Sequence, residues 1–377
     1  MNQPTSIEEK SLSWPIRTDE NWRFGSWKEG NLEGLAPVGE GDGLELPAPL
    51  EGATRFVFHN ARLVSGDHPA VTPVEHSFGP KARLGSEKAA ELHRRECQHG
   101  LAISSTESIF IEVIHFVSGE GLLLPSLSIK SDQGALVKVV ERFISVNQED
   151  ATTVLTAVDL DLSAGSRMKY LVTQELNRKS RLVRLADSCL QENANATQGV
   201  VHTGAKWVRE ETYSTVDGID ARSEILSIAL PDSGQEYDQR TFQHHGARDT
   251  YSDLLFKNTL FGTAKTIFSG LIFVDEGAHG TDAYQTCRNL MMTDECEAHS
   301  MPGLEINADG VKCSHGSTSS RVSDEEIFYL MARGIQPKQA RTLVAQGFSM
   351  EAIEKFEDET LEGLATEVVL RKFEAVV

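Results

Sequence analysis

Cysteine is scarce in this chain: five residues among 377, an odd number at irregular spacing. That excludes the dense disulfide framework of small secreted domains and predicts reduced thiols. No stretch approaches the roughly 18 uninterrupted apolar residues of a membrane-spanning helix. Residues 1–10 (MNQPTSIEEK) lack the apolar centre of an export signal. A soluble cytoplasmic protein is the expectation. Basic charge is also short, with 36 Lys and Arg against 56 Asp and Glu and a formal net charge of −20. Phosphate backbones and anionic lipid would be repelled, so neither nucleic acid nor a membrane is an expected partner. The chain has no Gly-x-Ser-x-Gly elbow, no His-Glu-x-x-His and no Walker phosphate loop. Any ATP hydrolysis must therefore come from a partner.

The length predicts two or three structural units, unless the fold is an elongated repeat. In the first hundred residues Trp14, Trp22 and Trp27 read as aromatic anchors of an N-terminal segment, and 34–43 as a Gly/Pro loop. Residues 86–99 (SEKAAELHRRECQH) read as a helix with Ser86 as its cap. From about Leu101 the period becomes two. Residues 108–116, 135–146, 152–162 and 167–174 are short β-rich runs with no amphipathic helix between them. Polar-Gly corners at 131–135, 163–166, 231–234 and 275–278 separate such runs and suit either a sandwich or a β-solenoid. A sandwich rarely sustains roughly 200 residues of strands, whereas a solenoid grows by stacking turns, which favours a long solenoid.

At Ser323 the pattern turns helical. Ser323-Asp324-Glu325-Glu326 is a capping box, Gly334 closes the first helix and Pro337 opens a second. Gly347 is expected to end that helix and Ser349 to begin a third. Met350, Ile353, Phe356, Leu361, Leu364, Val368 and Val369 form its apolar face. So small a helical unit is expected to need a partner over part of its apolar surface.

Chemistry-bearing residues concentrate in 282–317, which holds Cys287, Cys296, Cys313, His299 and His315. If 311–316 is a strand, Cys313 and His315 project from one face, roughly 6 to 7 Å apart at the backbone. A thiolate and a neutral imidazole suit iron or zinc. Alternatively Cys313 is a small buried hydrophobe and His315 a hydrogen-bonded surface residue. Cys296 and His299, read with the later pair, give Cys-x2-His-x13-Cys-x-His. The second half is too tight for an ordinary zinc knuckle, so packing is the reading for the first. Cys97 and Cys189 read as packing residues, and the adjacent His244 and His245 as surface or interface residues.

Residues 254–274 (LLFKNTLFGTAKTIFSGLIFV), 281–292 (TDAYQTCRNLMM), 304–318 (LEINADGVKCSHGST) and 324–335 (DEEIFYLMARGI) resemble the SufB/SufD family of iron–sulfur cluster assembly proteins. These motifs are long and specific, and the likeness extends weakly back to about residue 100. The resemblance implies a mainly β fold. A right-handed parallel β-helix at 101–322 would follow an N-terminal mixed and helical region at 1–100 and precede a small C-terminal helical domain at 323–377. It implies a scaffold, not an enzyme. In the family, SufB and SufD pair through their β-helices, each C-terminal domain docks one copy of the ATPase SufC, and the cluster forms near the SufB–SufD interface. SufB and SufC are thus the implied partners, with self-association of the isolated chain left open. A transient iron–sulfur cluster or iron at the interface with SufB is the implied cofactor, with none held tightly by the isolated chain.

Residue by residue, 313–316 matches the pattern in which His315 sits at the interface and is associated with cluster formation, with Cys313 as its companion. The two are the implied iron ligands. In SufB the equivalent histidine is flanked by glutamates. Here the flanks are Ser314 and Gly316, which favours the other branch. Cys287 departs from that branch, where asparagine is frequent, and stands near the place of SufB's sulfur-accepting cysteine, which makes it a candidate acceptor. The sheet edge near 309–318 would supply the pairing contact. Two rivals remain: a β-helix enzyme acting on polysaccharide, for which no paired-carboxylate motif is present, and a purely structural interaction module of the same complex.

Overall fold

The computed structural model describes residues 12–39, 44–79 and 83–376. The polar start of the chain and the end of the Gly/Pro loop lie outside the described residues. The runs read with period two form strands Ile109–Val117, Leu136–Ser145, Thr152–Leu162 and Arg167–Glu175. They belong to a β-solenoid of about eight turns. Each turn gives one strand to each of two ten-stranded sheets.

The first sheet passes from Arg62–Ser65 and Thr54–His59 through Ile109–Val117 and onward to Tyr251–Leu260, Asp282–Met291 and Lys312–Arg321. The second passes from Val71–Val74 and His99–Ser105 to Glu236–His245, Lys265–Val274 and Glu297–Ile306. Strand pairs along the coil are parallel, and among the described residues only the first pair of each sheet is antiparallel. Stacked partners run Leu182, Val208, Tyr237, Thr266, Ala298, so the sequence interval changes along the coil. That drift hides the repeat from any fixed-period reading.

Both sheets are covered outside as well as inside, as parallel sheets require. On the second sheet, Trp22 stacks on Trp207 at 6.1 Å and helix α1 (Glu87–Glu96) packs beside Leu155 and Val183. On the first sheet lie helices α2 (Asp324–Met331), α3 (Pro337–Ile353) and α4 (Glu359–Val376), sharing an apolar cluster with Leu171, Val201, Leu226 and Leu255. Gly199 admits the Phe356 ring, since a Cβ there would stand 2.2 Å from Phe356 Cζ. Lys138–Asp358 (3.0 Å) and Arg371–Glu175 (2.5 Å) pin the helices at their rims. No helix among the described residues is long and apolar enough to cross a membrane.

The tail departs from expectation at one point. Helix α3 runs through Gly347 to Ile353, and the next helix starts at Glu359, after a left-handed Glu357 (φ 48°). Ser349 caps nothing: it is buried, and its hydroxyl donates back to the Ala345 carbonyl (3.2 Å). Ala345, Ala352 and Ile353 continue the buried face across the expected break, and that packing outweighs the propensity of a single glycine. The expected Ser323 cap is present, its side chain accepting from the Glu326 amide.

The interior carries charge. Arg184 donates to Glu210 at 2.5 Å, Glu210 also meets His202 (3.1 Å) and Thr212 (3.2 Å), and all four are buried. Burial opposes ionisation of Glu210, but the Arg184 charge and the hydrogen bonds outweigh it and take the carboxyl from 4.5 to about 2. Its folded value lies below its unfolded one. Its contribution to stability is therefore complete above pH 4.5 and lost as pH falls towards 2. Glu210→Ala, which strands the Arg184 charge, is expected to cost about 3–5 kcal/mol in urea unfolding at neutral pH. Glu210→Gln should flatten the acid limb of the stability curve over that same window.

Candidate functional site

The far end of the solenoid is open. Lys312–Arg321 closes the first sheet and Glu297–Ile306 the second, and each has a paired neighbour on one side only. In the first sheet the register sets Cys313 beside Ala283, His315 beside Gln285, Ser317 beside Cys287 and Ser319 beside Asn289. Ala283, Gln285, Cys287 and Asn289 are buried in the interior. Strand alternation therefore points Cys313, His315, Ser317 and Ser319 to the same side, on a turn that has no turn beyond it.

The two residues expected to act together have different surroundings. Cys313 is half-buried against Ile272, Val274, Ala283 and Leu304. Burial raises its thiol, more than a backbone hydrogen bond from Ala283 lowers it. His315 is exposed. No hydrogen bond among the described residues holds its ring, so both nitrogens are available to an incoming group. Cys287 lies one strand further in and is fully buried. Burial pushes its thiol up to about 12, outweighing its side-chain hydrogen bonds with Ser300 and Asn289. Near neutral pH it is a protonated thiol with neither the charge nor the access of a nucleophile.

Cys296 and His299 do not converge. The Cys296 thiol is buried and donates to the Thr293 carbonyl at 3.1 Å. His299 lies on the outer face, stacked on Phe24 with ring centroids 4.4 Å apart. His245 corrects the surface reading of the histidine pair. It is fully buried between Thr250 (2.8 Å) and Ser252 (2.9 Å), and burial lowers its pKa to about 4. His244 faces outward and meets Asp275 at 2.8 Å. Among the described residues no group of three or more His, Cys, Asp or Glu could hold a metal ion. An ion or cluster bound at His315 would need further ligands from outside the described residues.

A second surface was not resolved to residues by sequence reasoning. Phe328 and Tyr329 on α2 are 72% and 57% exposed, with Met331 and Leu343 also exposed. The signal was legible in DEEIFYLM, where five apolar or aromatic residues follow one another and one helix face cannot bury them all.

The chain is similar to known proteins over most of its length. The family described as SUF system FeS cluster assembly, SufBD core domain, matches residues 115–348. The chain is 33% identical over 387 aligned positions to the iron–sulfur cluster assembly protein SufD of Escherichia coli (strain K12), covering 95% of this chain and 88% of that protein. It is 37% identical over 163 positions to the SufBD family protein Rv1462 of Mycobacterium tuberculosis (strain H37Rv), covering 41% of each. A Mycobacterium leprae relative, the SufBD family protein ML0594, is 29% identical over 59% of this chain and 62% of its own length.

The depth of Cys287 is checked by alkylation. Iodoacetamide at mildly alkaline pH is expected to leave Cys287 unmodified in the folded protein and to label it once denatured. Labelling in the folded protein as fast as at half-exposed Cys189 would show that the last strand opens.

Proposed function

The chain belongs to the SufBD family of SUF-system iron–sulfur cluster assembly proteins, and we propose that it is the SufD-type scaffold subunit of a cytoplasmic assembly complex. In this reading its open end pairs with the open end of a SufB subunit, and its C-terminal helices recruit the ATPase SufC. The observation that carries the reading is the free terminal turn. Two unpaired strand edges invite another strand on each sheet, and His315 stands on that turn without a partner. His315 would contribute one nitrogen to a nascent cluster, which is cargo, while SufB would supply the other ligands. Cys313 would line the same edge as an apolar neighbour or a second donor. Cys287 would serve as interior packing, since burial leaves its thiol protonated.

The exposed Phe328, Tyr329 and Met331 give the ATPase-docking proposal its residues. Aromatic anchors at the centre of an interface carry most of its binding energy. The purely structural alternative draws support from the half-buried, apolar setting of Cys313.

Co-purification with SufB and SufC followed by anaerobic reconstitution tests the scheme. His315→Ala is expected to retain both partners and to lower cluster yield by more than the roughly tenfold loss that follows removal of an outer-shell partner. Undiminished yield would remove His315 and leave the scaffold. Phe328→Asp combined with Tyr329→Asp is expected to abolish SufC retention while SufB still co-purifies. Failure of the wild-type chain to bind either partner would sink the proposal.

A further inference from the structure

We propose that the N-terminal segment is part of the docking end: Arg23 and Phe24 staple the last strands of the second sheet, and the Phe24–His299 ring pair forms the outer rim of its free edge. The proposal builds on the end-to-end docking put forward above. It starts from a conformational outlier. Phe24 has φ 65°, in the left-handed region that bulky residues rarely adopt, so its surroundings must hold it there.

Three successive strands of the second sheet supply the hold. From Glu236–His245, Arg240 donates to the Arg23 carbonyl at 3.0 Å. From Lys265–Val274, Lys265 donates to the Phe24 carbonyl. From Glu297–Ile306, the His299 imidazole lies against the Phe24 ring at 4.4 Å with planes 6° apart, while the Arg23 guanidinium sits 5.0 Å from the centroid of the same ring. One dipeptide thus binds the terminal strand and the two before it. Upstream and downstream, Trp22 on Trp207 and Ser26 on Glu236 (2.7 Å) fix the dipeptide to the body of the solenoid.

This gives His299 a role other than metal ligation. A terminal strand has hydrogen bonds on one side only and frays more readily than an inner one. A staple across its outer face holds it in register before a partner arrives. Phe24 remains 42% exposed beside that edge. A strand added there would run about 5 Å from Glu297–Ile306 and set one of its side chains next to His299. The fitting partner is another β-solenoid end that extends the second sheet and lays an apolar or aromatic side chain on the ring pair.

Hydrogen exchange on the full-length chain tests the staple. Phe24→Gly accepts the same φ, so it removes the ring without backbone strain. Phe24→Gly and His299→Ala are each expected to speed exchange in 297–306 several-fold with little change in thermal midpoint. The double variant should be no faster than either, and Phe24→Tyr should restore protection. Affinity for the SufB subunit is expected to fall about tenfold in Phe24→Gly and to recover in Phe24→Tyr. Unchanged exchange in both single variants overturns the staple, and unchanged affinity overturns the rim. If the wild-type chain binds no solenoid partner, the docking proposal falls, whereas the exchange result still decides the staple.

Discussion

A parallel strand satisfies its backbone groups partly on one side and partly on the other, so a solenoid turn is complete only between two others. Where that ladder stops determines what the molecule can do. At its beginning it is stopped by the fold itself. The hairpin of Thr54–His59 and Arg62–Ser65 turns the first sheet antiparallel, and Val71–Val74, which contains Pro73, does the same for the second. Proline offers no amide and a short antiparallel edge resists extension. At the other end no such element follows Glu297–Ile306 or Lys312–Arg321 among the described residues. The molecule has one closed end and one open end.

The outer faces follow from the same constraint. The C-terminal helices borrow their core from the solenoid, through Leu171, Val201 and Leu226, so they are less an independent domain than a cover for the first sheet. The N-terminal segment and α1 cover the second. What the helices leave uncovered, Phe328 and Tyr329 above all, is held in fixed relation to the open end because α3 and α4 are seated on the coil. On the reading proposed above, two interaction surfaces seated on one coil would be the physical content of a scaffold.

The sequence disclosed the strands because alternation is local, and the Ser323 cap because one side chain and one amide suffice to make it. It misplaced the end of α3 because Ala345, Ser349 and Ala352 are held by tertiary packing that no local rule contains. It placed Cys313 and His315 on one face correctly, since a two-residue spacing in a strand allows nothing else. It left the depth of Cys287 open and misread buried His245 as a surface residue, because depth depends on strands distant in sequence. The open end was legible only through family likeness: KCSHGSTSSR looks like a polar loop until its neighbour Asp282–Met291 is known. The N-terminal staple was invisible for the same reason, as Phe24 and His299 are separated by most of the chain.

The polarity of the last strand explains how an open end can be tolerated. An apolar edge would accept any exposed strand, whereas Lys312–Arg321 offers lysine, serines, threonine, histidine and arginine. The interior prepares this edge through a ladder of amides. Asn258 donates to Asn289 at 2.8 Å, and Asn289 donates to Ser319 at 3.2 Å. A partner that buries Ser317, Ser319 and His315 without answering their hydrogen bonds forfeits about 1–3 kcal/mol for each group left unsatisfied. Only a surface with complementary donors and acceptors gains from the contact, so the residues that keep the edge from aggregating also select what may close it. On the reading proposed above, the exposed His315 would meet its remaining ligands only once such a partner had completed the turn.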